Sequence, residues 1–166
     1  MERKQFGTGR VSSRNEVKMK DLEAAKKDFF AGIPHDSAFF EVPFRPILDE
    51  LIAWSEQYSN VLTFTWHEGK PGVERQSLVK YCLTGTASPF WAVWPRPKDG
   101  AKLTLLTDKD AFPGDLRNLA RERLAAIGGH KPKPVPEISM QSMIPQKTRA
   151  EVIELMTGLM KQVTER

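Results

Sequence analysis

The stretch Ser88 to Lys98, SPFWAVWPRPK, sets Phe90, Trp91 and Trp94 close to Arg96 and Lys98. Aromatic faces can stack nucleic-acid bases while nearby cations hold phosphates, and each stacked base contributes about 1–3 kcal/mol. Side chains alternate between the two faces of a strand. Phe90 and Trp94 then share one face, and Trp91 lies on the other. The Phe90–Trp94 pair is the bulkier and makes the better core face. Trp91 is therefore expected on the polar face, near Lys80 and flanked by Arg96 and Lys98, with His67 on the same face. These five residues form the candidate ligand-binding set. Two arrangements compete with this one. The reverse register sends Trp91 inward and exposes Trp94, and a helix laid over the face would cover Trp91.

Other reactive residues fit simpler explanations. Glu68-Gly69-Lys70 has the acidic-x-Lys form of a magnesium nuclease, but Asp49 and Glu50, the acids upstream, belong to a predicted helix rather than a neighbouring strand. Gly69 reads as a turn. His67, Cys82 and His130 suggest a Cys-His pair, yet Cys82 falls in mid-strand, away from any helix N-terminus that would activate its thiol. Asp108-Lys109-Asp110 does not continue into calcium-loop spacing, and no glycine-rich phosphate loop is present. Catalytic residues, metal ligands and cofactors are accordingly not assigned.

The elements that must position these residues follow from periodicity. A helix is predicted over 14–31, with Ser13 and Glu16 at capping-box spacing. PFRPILDELIAWSEQYSN reads as a helix over 46–58, with Pro46 in its first turn. In VLTFTWHEGK, Leu62, Phe64 and Trp66 alternate with Val61, Thr63, Thr65 and His67, the pattern of a half-buried strand. Further strands are expected over 76–84, 90–94 and 102–107. Pro95 and Pro97 close the strand over 90–94, because neither can donate to a ladder. A helix over 114–127 ends at Gly128-Gly129. HKPKPVP is an extended connector, EISMQS a short fifth strand, and Pro145 opens a last helix reaching 164. The result is an α+β fold: two layers, an antiparallel four- to five-stranded meander, and helices packed on one face. Phe64, Trp66, Val79, Tyr81, Leu83, Leu103 and Leu105 should pack on the helices at 46–58 and 145–164.

Length and composition agree with one domain over 13–166, preceded by a mobile basic arm over 1–12. The chain has 166 residues and a net charge of +4, with the basic excess at its two ends and a slightly acidic middle. One cysteine excludes an internal disulfide and a multi-cysteine zinc site. No stretch is long and apolar enough to span a membrane, and the first 20 residues lack the apolar region of a secretory leader. A cytoplasmic location is expected.

From Phe44 to about residue 165 the chain resembles a family of small bacterial α+β domains of unknown function, some of them encoded beside or fused to restriction-type proteins. The likeness rests on PFRPILDELI, LVKYCL, PFWAVWP, LTLL, the Gly129-His130 step and EVIELMTGLM. Lys131-Pro132-Lys133-Pro134 departs from the aromatic and glycine residues such domains carry after that step. The resemblance implies a DNA-processing or defence setting and no reaction. The expectation is a small non-enzymatic binding module with nucleic acid as its partner. The alternative is a homodimeric structural or adaptor protein without nucleic-acid binding, paired through the apolar stripe of the C-terminal helix.

Overall fold

Strand alternation decides where the core lies. Leu62 and Phe64, then Val79 and Tyr81, then Leu103 and Leu105 turn to one side, and all six are buried. The computed structural model describes residues 14–33, 36–66, 79–96 and 100–165. The arm over 1–12, the candidate cap Ser13, His67, the Glu68-Gly69-Lys70 tripeptide and Lys98 lie outside these residues.

Among the described residues the chain forms α1 (Arg14–Ala31), α2 (Ser37–Glu56), β1 (Leu62–Trp66), β2 (Val79–Leu83), β3 (Pro89–Arg96), β4 (Gly100–Leu105), α3 (Gly114–Gly128), β5 (Glu137–Ser139), a single 3₁₀ turn (Met140–Met143) and α4 (Gln146–Thr164). The five strands pair in sequence order, every pair antiparallel. This is the α+β meander expected from the pattern. No helix among the described residues is long and apolar enough to cross a membrane.

The helices carry the other half of the core. Phe44, Ile47, Leu48 and Leu51 of α2 and Val152, Leu155, Met156, Leu159 and Met160 of α4 are buried in one continuous cluster with the inward strand residues. The stripe on α4 is therefore used by the chain's own core. Indole nitrogens reach polar groups within this layer. Trp54 Nε1 donates to Thr157 Oγ1 at 3.0 Å, which ties α2 to α4. Arg149 of α4 pairs with Glu50 of α2 at 3.0 Å. On the other flank of α2, the Lys26 ammonium of α1 bonds Asp49 at 3.1 Å and Glu23 at 3.3 Å.

Three features depart from the sequence reading. Helix α2 starts at Ser37 and holds both Pro43 and Pro46 in its body. Each proline lacks a donor and crowds the carbonyl one turn back, so the pattern places a helix start at Pro46. The longer helix is held by burial: Phe44 packs so close to β4 that a Cβ at Gly100 would sit 3.5 Å from its ring. Gly100 itself has a φ of 86°, which an L side chain rarely adopts.

The second departure is a β-bulge. Tyr81 pairs with Trp91, but Cys82 pairs with Pro89, so β3 carries one extra residue, Phe90, against β2. A bulge places two successive residues opposite one partner. Phe90 and Trp91 consequently both reach α2. Phe90 stacks on Trp54 with centroids 5.6 Å apart. Trp91 stacks on Tyr81 at 5.4 Å and donates its indole N–H to Ser55 Oγ at 2.7 Å. The assignment of Trp91 to the polar face is thereby corrected: it is 0% exposed. Beyond the bulge alternation resumes, with Val93 inward and Ala92 and Trp94 outward. Strand β3 also runs through Pro95, which pairs with Ala101 of β4, whereas the described pairing to β2 has ended at Val79–Val93.

Candidate functional site

The outward face of the sheet is built in rows by the register. Thr65, Lys80, Ala92, Thr104 and Glu137 succeed one another across the five strands. The next row runs from Trp94 through Lys102 to Ser139. Directly paired residues on one face hold their Cβ atoms about 5 Å apart, and diagonal ones stay within reach of long side chains. Trp94 therefore stands beside Lys102 and diagonal to Lys80. It is 39% exposed, the large aromatic of the described outer face. Arg96, two residues further along β3, is exposed on the same side.

The floor of this face is small and well covered. Cys82, Ala92 and Thr104 are buried, and the Thr104 hydroxyl donates to Ala92 O at 3.3 Å. At the β5 side, Glu137 Oε1 receives Lys133 Nζ at 3.2 Å and Lys102 Nζ at 3.5 Å. The Glu137 side chain is only 10% exposed, so the ammonium groups lie between it and solvent.

Of the sequence-based candidates, Lys80 and Arg96 fall on this face, and the tryptophan exposed there is Trp94, as in the reverse register, rather than Trp91. His67 and Lys98 lie outside the described residues. Lys133 and Glu137 were not among the candidates. The KPKP connector reads as a linker in sequence, and only the β4–β5 pairing brings Lys133 next to Lys102.

Among the described residues Cys82 and His130 are not brought together as a Cys-His pair; His67 lies outside them. Cys82 is buried on β2, and β3 and β4 separate it from β5. His130 packs beyond that edge, against Gly128 and Ile138. Its Nδ1 donates to Lys131 O at 2.8 Å, while Nε2 is buried with no partner among the described residues. Among the described residues no three His, Cys, Asp or Glu side chains gather as metal ligands.

Elsewhere, the loop after β4 is tightly bonded. Leu106 has a φ of 45°, a left-handed backbone that costs a leucine about 1–2 kcal/mol. Arg117 Nε holds its carbonyl at 2.9 Å. Ser88 Oγ donates to Asp108 Oδ2 at 2.6 Å and the Asp110 amide donates to Oδ1 at 2.9 Å. These bonds, the Ser88 hydroxyl first, lower the Asp108 carboxyl below its ordinary range. In the core, burial and then the bond to Glu56, at 2.8 Å, push the Tyr81 phenol far above its usual range. The Ser88–Asp108 bond ties the start of β3 to the loop after β4, and the Tyr81–Glu56 bond ties β2 to the end of α2.

A groove of about 560 Å³ lies between α1 and α2, lined by Lys26, Lys27, Phe30, Ser37, Glu41 and Arg45 among others. Its charges are largely spent on one another, since Arg45 also bonds Glu41 at 3.1 Å. No protein-family model, curated protein or solved structure matches this chain.

Proposed function

We propose that the chain is a small non-enzymatic binding module that takes single-stranded nucleic acid on its outer sheet face. The observation that carries this reading is Trp94: a tryptophan 39% exposed on a polar sheet, beside Lys102 and followed by Arg96. Trp94 stacks a base, and Lys80 and Arg96 meet the flanking phosphates. An exposed ring is sequence-tolerant, because every base has a π face. The resemblance to domains found beside restriction-type proteins supports a DNA-processing or defence setting in a bacterial cytoplasm.

Tryptophan fluorescence during titration with an oligodeoxythymidylate tests this directly. Binding should appear at low salt and weaken steadily as salt rises, through the counterions that phosphate contacts release. Absence of binding at low salt ends the reading.

A second reading, a homodimeric or adaptor protein without nucleic acid, is favoured by a different observation. Phe39 and Val42 near the start of α2 are 68% and 77% exposed. A dimer would then use this end of α2, since the stripe of α4 is occupied. Sedimentation over a range of concentrations separates the two: a monomer throughout removes the dimer.

A further inference from the structure

We infer that Lys102 and Lys133, held over Glu137, form a phosphate subsite for the strand that stacks on Trp94. This rests on the nucleic-acid reading and extends it to the β5 edge of the sheet. Two ammonium groups converge on a single carboxylate oxygen, Glu137 Oε1, at 3.2 and 3.5 Å. Lys133 brings a second ammonium to the one Glu137 carboxylate. The carboxylate is nearly buried, whereas the Lys133 side chain is 37% exposed, so the charge presented to solvent is positive. Glu137 draws both ammonium groups to one oxygen and competes with a phosphate for them.

The placement relative to the aromatic is the second part of the argument. Lys102 is the register partner of Trp94, and Ser139 of β5 is the register partner of Lys102. A base lying on Trp94 would therefore have its own or its neighbour's phosphate above Lys102. From there the strand would pass outward over Lys133. The Lys133 ammonium lies 3.2 Å from Glu137 on a side chain that is 37% exposed, so a phosphate can approach it from the solvent side while it keeps that contact. Lys133 itself is positioned by its backbone: Arg121 Nε donates to its carbonyl at 2.6 Å, which ties the connector to α3.

The test uses the whole chain and a labelled oligodeoxythymidylate of about 12 nucleotides, within the usual site size of such surfaces. Lys133→Gln should weaken binding about three- to tenfold and lower the salt slope by about 0.7, the value for one phosphate contact on a single strand. Glu137→Gln should strengthen binding by a similar factor, because it removes the competing carboxylate. Lys147→Gln, at the exposed start of α4 on the helix side, makes the same charge change elsewhere and should alter binding little. Unfolding midpoints of all three variants confirm that the fold is kept. If Lys133→Gln behaves like Lys147→Gln while Trp94→Ala still weakens binding, the subsite is wrong and the nucleic-acid reading stands. If the wild-type chain does not bind at low salt, both fall together.

Discussion

The indole nitrogen of Trp91 lies 2.7 Å from the Ser55 hydroxyl, and that hydroxyl donates onward to Leu51 O at 2.8 Å. One bond joins β3 to α2, and the other returns to the α2 backbone one turn earlier. Both groups are buried, so each satisfies a donor that would otherwise be stranded. Trp54 and Thr157 repeat the arrangement between α2 and α4, with Thr157 Oγ1 donating to Ile153 O at 2.9 Å. Three elements are thus registered against one another by two tryptophans.

Removing either member of the first pair should be costly. Trp91→Ala should destabilise by about 3–5 kcal/mol, the usual loss for a packed aromatic. Ser55→Ala leaves the buried indole N–H without an acceptor and should cost about 1–3 kcal/mol. Chemical denaturation measures both. A loss under ~1 kcal/mol for Trp91→Ala, the range of surface substitutions, would place that side chain at the surface.

Gly128 should resist a substitution that normally helps. Ala in a helix is about 1 kcal/mol better than Gly. Here an added Cβ would meet His130 Cδ2 at 2.8 Å and Nε2 at 2.9 Å. Gly128→Ala should therefore destabilise, and His130→Ala in the same chain should recover the alanine benefit. A double-mutant cycle by denaturation reads the coupling. Additive effects would show that the ring does not occupy this space.

The Asp108 clamp should show in the acid limb of stability. The folded carboxyl titrates below its ordinary range. Its stabilisation is therefore fully present above the unfolded value, about 3.9, and is lost as pH falls through the folded value. Ser88→Ala removes the first cause of the shift. The stability gap between wild type and Ser88→Ala should be open at pH 7 and should narrow on acidification below about pH 4. A gap independent of pH would mean that the Ser88 bond does not depend on the Asp108 charge.

Alternation was sufficient to place Phe64, Val79, Tyr81, Leu103 and Leu105 inward, because β1, β2 and β4 each keep the two-residue period. It failed at Trp91 for a local reason. A bulge adds one residue without a marker in residue type, and after Phe90 every outward and inward assignment is exchanged. Trp94 thus came to the surface in place of Trp91. The start of α2 was hidden by two prolines whose helix-breaking tendency is overridden by burial of Phe44. Lys133 and Glu137 were illegible for a third reason: their proximity to Lys102 is a long-range pairing of β4 with β5, which no local pattern encodes.

Trp94→Ala, titrated against the same oligodeoxythymidylate beside the wild-type chain, tests the central claim most directly. Loss of one stacked base is worth about 1–3 kcal/mol, so affinity should fall by about 5- to 150-fold. The stability of this variant should stay within ~1 kcal/mol of wild type, as for a surface position. A Trp94→Ala chain that binds as tightly as wild type would contradict the account.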